Sequence, residues 1–168
     1  EKPKRKNIML HNLHAVVGNI KQPLVSENTN GTNGKFVGKS VEKSVIVFNG
    51  EIYNWKSLCP KAKNDTEALL NVLMQKKEKK EKAVEILDGP YSFAFREGNS
   101  LIIARDIFGI KPLFYNNSSK GMVFASEKKC LREIGLHPIE LNPRHILSYD
   151  IKNNKISIKK RKFFEYQP

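Results

Sequence analysis

Cysteine is scarce in this sequence, and long apolar runs are missing. The two cysteines, Cys59 and Cys130, lie far apart, and neither has the neighbouring ligands that a metal site needs. Unpaired thiols are typical of a reducing compartment, so we predict a cytoplasmic protein whose two cysteines are free, buried small side chains. No stretch is apolar over the roughly 20 residues of a membrane-spanning helix, so a membrane partner is not expected.

Acidic residues are also few, since 17 aspartates and glutamates face 30 lysines and arginines, a formal net charge of +13. This charge raises nucleic-acid binding as a hypothesis. The basic residues are concentrated in three runs, at 2–6, 76–82 and 159–162. The second run alternates with Glu78 and Glu81, as a solvated helix end does, and no RNA-stacking or zinc-finger motif accompanies any of them. Nucleic-acid binding is therefore the least favoured function.

The length and composition fit one globular domain with a sizeable core, since the 168 residues are 39% hydrophobic and 28% charged. Alternating and β-branched apolar segments predict strands at 10–17, 45–48, 91–95, 101–104, 113–115, 122–125, 146–150 and 155–158. Most of these strands are expected to form hairpins, with turns at 97–100, 116–119 and 153–154. The polar segment 26–35 predicts a loop insertion between two strands. The predicted class is α+β with packed antiparallel sheets.

Two helices are predicted, over 64–75 and 126–133, and the first has the clearer signals. Asn64 is a good N-cap, and Glu67, three residues later, completes a capping-box pattern. Apolar residues at i,i+4 spacing form one stripe, which we assign to the core: Leu69 with Leu73, and Leu70 with Met74.

The end of the strand 45–48 carries the first candidate site. Asn49 and Gly50 stop the strand, and Glu51 follows directly. Glycine lets the chain turn or lets a ligand approach its amide, and two neighbouring N–H donors can hold a developing oxyanion. An ordinary strand-ending turn is the alternative interpretation of these residues.

Six ordered segments together resemble the glutamine-hydrolysing domain of asparagine synthetase, an amidotransferase of the N-terminal-nucleophile type. They are Val-Phe-Asn-Gly-Glu-Ile-Tyr-Asn at 47–54, Asn-Asp-Thr-Glu at 64–67, and the segments 87–95, 104–115, 124–129 and 142–145. The similarity extends over about residues 10–165. It implies a four-layer αββα sandwich of two mainly antiparallel sheets, in agreement with the α+β prediction.

The resemblance also implies roles for individual residues. In this family an N-terminal cysteine attacks the side-chain amide of glutamine, with its own α-amino group as base, and a thioester forms as ammonia leaves. Asn49 and Gly50 would form the oxyanion hole. Glu51 and Asp65 would bind the α-ammonium group of glutamine, because carboxylates pair with ammonium groups. The alternative for Asp65 is a second capping residue of its helix.

The chain departs from the family pattern in two places. It opens Glu-Lys-Pro-Lys-Arg-Lys, without the nucleophilic cysteine or the segment that follows it in the family, so we expect a piece of a longer protein. The arginine that binds the α-carboxylate of glutamine is replaced by Leu13. Strand alternation places His14 on the opposite face, which favours a structural role for it. Val16 and Val17 would offer backbone groups to glutamine.

The favoured function is the ammonia-supplying domain of an asparagine synthetase. In the complete protein, a covalently linked or associated synthetase domain would use the ammonia to convert aspartate to asparagine with ATP and Mg²⁺. This domain needs no cofactor of its own, and without the nucleophile the chain alone is expected to be inactive. The alternative is a catalytically inactive amidotransferase-like domain with a regulatory or assembly role, which the intact set Asn49, Gly50, Glu51 and Asp65 disfavours. The sequence also allows a homo-oligomer, in which a second copy of the chain is the partner.

Overall fold

The computed structural model describes residues 6–10, 13–17, 24–27, 43–75 and 80–161, and gives side-chain surroundings for 44–74 and 80–161. In chain order the elements are β1 (Lys6–Leu10), β2 (Leu13–Val17), β3 (Leu24–Glu27), β4 (Lys43–Gly50), α1 (Trp55–Leu58), α2 (Asp65–Gln75), α3 (Lys80–Glu85), β5 (Tyr91–Glu97), β6 (Ser100–Arg105), β7 (Phe114–Ser118), β8 (Gly121–Ala125), α4 (Lys128–Glu133), β9 (Ile139–Glu140), β10 (His145–Asp150) and β11 (Lys155–Lys160). None of the helices in these ranges has the length and apolar composition needed to cross a membrane.

The strands form two sheets, one of five strands in the order β1-β2-β8-β7-β9 and one of six in the order β11-β10-β6-β5-β4-β3. The strand pairs are antiparallel except for β2 and β8, which run parallel. Helix α2 contacts β3 and β4 of the six-stranded sheet, and α4 contacts β7 and β8 of the other sheet. The α+β class with two mainly antiparallel sheets is therefore confirmed.

Strand β5 explains why the core has two parts. Tyr91, Phe93 and Phe95 alternate along it and pack in one cluster with the apolar faces of α2 and α3. Ala94 points the other way and belongs to a second cluster, which contains Met122 of β8 in the facing sheet. The predicted aromatic face is confirmed, and the residues between the aromatics are buried as well because this sheet is covered on both sides.

Helix α2 begins as its sequence predicts. The Glu67 N–H donates to Asn64 Oδ1 at 2.8 Å, so Asn64 is the N-cap. The Glu67 carboxylate accepts from the Lys63 N–H at 2.9 Å instead of from Asn64, a variant of the expected capping box. Leu69 and Leu73 are buried in the core, as the apolar stripe predicted.

Three predicted boundaries near strand ends are wrong. The predicted strand 10–17 is two antiparallel strands, with Leu10 at the end of β1 and Leu13 at the start of β2. The predicted loop 26–35 starts too early, because Ser26 and Glu27 pair with β4; residues 28–35 lie outside the described ranges. The hairpin turn predicted at 116–119 lies at 119–120. Asn116 and Asn117 belong to β7 and pair with β8, and Gly121, which follows the turn, has a positive φ of 116°.

The remaining differences concern helices and thiols. Helix α4 starts at Lys128, two residues after the predicted start, and α1 and α3 were not predicted as separate helices. Both cysteines are free, as expected, but the prediction that both are buried is wrong. Cys59 is half-buried and Cys130 is exposed, because α4 turns Leu131 and not its neighbour into the interior.

Candidate functional site

The end of β4 is fixed by a close approach to β5. Asn49 pairs with Ser92, and Gly50 pairs with Tyr91. Gly50 has a φ of 135°, and a Cβ at this position would lie 2.1 Å from the backbone oxygen of Pro90. No larger residue fits there without moving the backbone. The sequence interpretation of Gly50 as a special turn residue therefore has a structural cause.

The turn after Gly50 is joined to the segment before β5 by several hydrogen bonds. The Glu51 N–H donates to the Pro90 oxygen at 2.9 Å, and the Tyr53 N–H donates to the Asp88 oxygen at 2.8 Å. Gly89 is also required, because a Cβ there would lie 2.3 Å from the Glu51 oxygen. Two of the motifs identified in the sequence, 47–54 and 87–95, thus form one unit.

Asn54 completes this connection through its side chain. Its Nδ2 donates to the Ile86 oxygen at 2.8 Å, and its Oδ1 accepts from the Asp88 N–H at 3.1 Å. The sequence motifs predict no separate role for Asn54. The only available signal was its place at the end of the Asn-Gly-Glu-Ile-Tyr-Asn motif, because its partners are more than 30 residues away.

Asp65, the first residue of α2, reaches the same turn. Its Oδ2 accepts from the Ile52 N–H at 3.2 Å, and its Oδ1 accepts from the Thr66 N–H at 2.8 Å. Ile52 N is bonded to the carbonyl carbon of Glu51, so the Asp65 carboxylate lies one hydrogen bond from the peptide that follows Glu51. Asp65 therefore binds its own helix start and also braces the site turn.

The structure thus brings Asn49, Gly50, Glu51 and Asp65 together at the end of β4, an inner strand of the six-stranded sheet. The side chains of Asn49 and Glu51 are exposed there, and that of Asp65 is half-buried. The Asp65 carboxylate beside this turn, with Glu51 on the turn itself, can bind a cation next to donors that polarise a substrate carbonyl group. Their assignment to glutamine stays a prediction.

The other predicted glutamine contacts belong to the facing sheet. Leu13 starts β2 and pairs with Met122, and Val16 and Val17 end the same strand. The side chains of β2, His14 included, lie outside the described ranges. Binding of glutamine by Leu13, Val16 or Val17 therefore stays a prediction as well.

The segment 104–115 ends β6, forms a loop next to β5 over residues 106–113 and begins β7. The Asp106 N–H donates to the Tyr91 oxygen at 2.7 Å. The Asp106 carboxylate accepts from the N–H groups of Ile110 at 2.9 Å and Lys111 at 3.0 Å. The Arg105 guanidinium donates to the Gly109 oxygen and pairs with Glu140 at 3.0 Å. Arg105 and Asp106 therefore shape this loop, a role that the sequence motifs alone do not predict.

Tyr91 is buried between this loop and α3. Its hydroxyl donates to the Val84 oxygen at 3.2 Å and accepts from Arg161 at 3.3 Å. Burial raises the pKa of Tyr91 above its usual value of 10.0, and the nearby Arg161 guanidinium opposes this only in part. Among the side chains that the structure describes, no group of three His, Cys, Asp or Glu residues is placed to hold a metal ion.

Comparison with known proteins extends these observations. A family model described as a glutamine amidotransferase domain matches residues 6–166. A Methanocaldococcus jannaschii protein named for asparagine synthetase of the glutamine-hydrolysing type is 34% identical over 134 residues, which are 73% of this chain and 21% of that protein. The glutamine-hydrolysing asparagine synthetase 1 of Bacillus subtilis is 35% identical over 115 residues, 62% of this chain and 18% of that protein. The chain thus spans about a fifth of the length of these relatives.

A solved structure supports the fold. The glutamine phosphoribosylpyrophosphate amidotransferase of Bacillus subtilis, complexed with ADP and GMP, superposes with a TM-score of 0.67. It is 20% identical and covers 83% of this chain and 31% of its own. The two-sheet α+β fold of this chain is therefore shared with that amidotransferase. With the family match over nearly all of its length, this chain belongs to the glutamine amidotransferase domain family.

Proposed function

We propose that the chain is the glutamine-hydrolysing domain of an asparagine synthetase, which in the complete protein converts aspartate, ATP and glutamine to asparagine. The observation that supports this most is the position of Asp65, whose carboxylate is hydrogen-bonded to the peptide after Glu51. The names of the sequence relatives support the same activity.

In this proposal Glu51 and Asp65 bind the α-ammonium group of glutamine. Each oxygen of the Asp65 carboxylate accepts one backbone N–H, which leaves further lone pairs for the substrate. The exposed Glu51 carboxylate supplies a second negative charge at the same turn. A primary ammonium group has three N–H donors and can therefore bind both carboxylates at the end of β4.

Asn49 and Gly50 stabilise the negative charge that develops on the side-chain carbonyl oxygen of glutamine. The antiparallel pairing of β4 with β5 and the close approach of Gly50 to Pro90 hold these residues in place before the substrate binds. Hydrogen-bond donors that are already in position stabilise an oxyanion best. The thiolate of an N-terminal cysteine adds to the amide carbon, and ammonia leaves with a proton from the α-amino group. Water then releases glutamate from the thioester.

The synthetase activity belongs to the proposed partner domain, which would bind ATP and Mg²⁺ and receive the ammonia. None of the six sequence motifs described above is expected to bind ATP or Mg²⁺. The catalytically inactive, regulatory domain is the competing interpretation, and the test below distinguishes the two.

The test compares two nitrogen donors in the protein that carries the N-terminal cysteine and the synthetase domain. Asp65→Asn should lower the glutamine-dependent kcat/KM about ten- to hundredfold, because a charge-assisted hydrogen bond contributes roughly 1.5–3 kcal/mol. Ammonia-dependent synthesis should change by less than about twofold, since ammonia has no α-ammonium group to bind. Glu67→Gln, two residues further along the same helix end, is the matched control and should affect neither donor strongly.

Equal losses with both donors would assign Asp65 to the fold alone and remove the proposed binding role. Wild-type protein that uses ammonia but not glutamine would favour the inactive, regulatory domain.

A further inference from the structure

Asn54 lies at the start of a helix that its side chain does not cap. It holds the N-cap position of α1, and within Trp55–Leu58, all of which the structure describes, no N–H donates to its side chain. Asparagine favours this position because its side-chain oxygen usually accepts such a bond. Here the same oxygen accepts from the Asp88 N–H at 3.1 Å, and Nδ2 donates to the Ile86 oxygen at 2.8 Å. The side chain is therefore committed to the segment before β5 and not to its own helix.

The segment that Asn54 holds lies directly against the site turn. The Glu51 N–H donates to the Pro90 oxygen at 2.9 Å. A Cβ at Gly89 would lie 2.3 Å from the Glu51 oxygen, and one at Gly50 would lie 2.1 Å from the Pro90 oxygen. Backbones packed this closely leave little room for one segment to shift without the other. The position of the Gly50–Glu51 peptide therefore depends on where the segment with Gly89 and Pro90 is held.

The turn uses its later donors within the protein. Three consecutive N–H groups after Gly50 already have acceptors, and they are those of Glu51, Ile52 and Tyr53. An oxyanion at this turn must therefore be bound by donors from Asn49 and Gly50, as proposed above. Two supports hold the turn from different sides, because Asp65 accepts from Ile52 and Asn54 holds the segment before β5.

We propose that Asn54 is a positioning residue for glutamine hydrolysis, which keeps the oxyanion donors of Asn49 and Gly50 in place without touching the substrate. The inference rests on the proposed function. An oxyanion develops only in the transition state, so a displaced donor weakens the transition state more than it weakens the binding of glutamine. The proposed α-ammonium contact is held separately, by the bond from the Ile52 N–H to Asp65. Loss of the Asn54 side chain should therefore lower kcat and leave KM nearly unchanged.

Asn154 supplies a matched control. Its Nδ2 donates to the Ser118 oxygen at 2.9 Å and its Oδ1 accepts from the Tyr149 hydroxyl at 2.9 Å, so Asn154→Ala also loses two side-chain bonds. It follows β10 at the end of the six-stranded sheet where β6 begins, whereas Gly50 lies at the end where β6 finishes. At its φ of 51° alanine adds backbone strain, so this variant should destabilise the fold at least as much as Asn54→Ala.

The kinetic test measures glutamate release from glutamine by the complete protein, with its N-terminal cysteine and synthetase domain. The diazoketone analogue of glutamine, which alkylates the nucleophilic cysteine, counts the working sites, so that misfolded protein does not lower the measured kcat. Per working site, Asn54→Ala should lower kcat about tenfold or more and change KM by less than about threefold. Asn154→Ala should change neither by more than about twofold.

A second variant keeps half of the connection. Asn54→Asp retains an acceptor for the Asp88 N–H and loses only the donor to the Ile86 oxygen. Its kcat should lie between those of the wild type and Asn54→Ala, and it supplies the same test if the alanine variant does not fold.

Hydrogen exchange in the chain as it stands gives a readout that needs no glutamine hydrolysis. The N–H groups of Glu51 and Tyr53 are bonded to the segment that Asn54 holds, so Asn54→Ala should accelerate their exchange at least about fivefold more than Asn154→Ala does. Equal exchange in the two variants, an unchanged kcat per working site in Asn54→Ala, or a rise in KM alone would overturn the positioning role. Wild-type protein that releases no glutamate would instead refute the proposed function itself and, with it, this role.

Discussion

The side chain of Asn54 holds Asp88 in place across 34 residues of sequence, since its Oδ1 accepts from the Asp88 N–H at 3.1 Å while its Nδ2 donates to the Ile86 oxygen. These two hydrogen bonds, the Asn54 clamp, keep the segment with Gly89 and Pro90 in close contact with the backbone of Gly50 and Glu51. The geometry of the candidate site therefore depends on residues that themselves need not contact a substrate.

Asn54→Ala should lower the free energy of unfolding by about 1–3 kcal/mol, because two hydrogen bonds are lost and the Asp88 N–H loses its partner. Urea unfolding at neutral pH measures the change. The exposed Asn99 in the β5–β6 turn supplies the control, and Asn99→Ala should change the stability by less than about 0.5 kcal/mol. A loss at Asn54 as small as that at Asn99 would show that the clamp does not stabilise the fold.

Gly50→Ala should destabilise the protein by about 3 kcal/mol or more, since the added Cβ meets the backbone of Pro90 at an unfavourable φ. Gly135→Ala is the matched control, because Gly135 also has a positive φ of 77° but nothing lies within 4 Å of an added Cβ. Gly135→Ala should lower the free energy of unfolding by only about 1–2 kcal/mol, because alanine is less stable than glycine in the left-handed conformation. Similar losses at the two glycines would contradict the tight packing of Gly50.

The stability of the domain should fall in alkaline solution because of Tyr91. Its pKa is raised by burial above 10.0, so the unfolded chain releases this proton first. The contribution of the protonated hydroxyl is complete below about pH 10 and is lost as the pH rises through the folded-state pKa. Tyr91→Phe should be less stable at neutral pH but should show a smaller alkaline loss, measured by urea unfolding at a series of pH values. An unchanged alkaline slope would assign that loss to other groups, Tyr149 among them, whose pKa burial also raises.

The chain as it stands should release no glutamate from glutamine above the background without protein. Neither Cys59 nor Cys130 carries a free α-amino group to act as base, so no thioester can form as in the family. A coupled glutamate assay with the purified chain measures this. Activity above background that disappears in Asn49→Ala would contradict the expectation and would require another nucleophile.

Elements whose signals are local were predictable from the sequence. Helix α2 follows from Asn64 and its leucine stripe, and β5 follows from the alternation of Tyr91, Phe93 and Phe95, because propensity and packing agree there. The division of 10–17 into two strands was missed, since the apolar pattern continues through it and only strand pairing reveals the break.

The candidate site was predictable only in part. Gly50 and Asp65 were identified from the motifs that they belong to. The side chain of Asn54 bonds partners 32 and 34 residues away, and that of Arg161 bonds partners 18 to 70 residues away. Composition and periodicity contain no information about such contacts. The fixed loop 106–111 was likewise invisible, although Asp106 binding N–H groups four and five residues ahead is a local turn pattern that could have been considered.

The most direct measurement of the central claim is the binding of L-glutamine compared with 4-carbamoylbutanoate, which is glutamine without its α-amino group. In protein with a complete site, glutamine should bind about ten- to hundredfold more tightly, since only glutamine can form the charge-assisted bonds to Glu51 and Asp65. In Asp65→Asn most of this preference should disappear, and in Glu67→Gln it should remain. Equal affinities of the wild-type protein for both compounds, or an undiminished preference in Asp65→Asn, would contradict the assignment of the α-ammonium site.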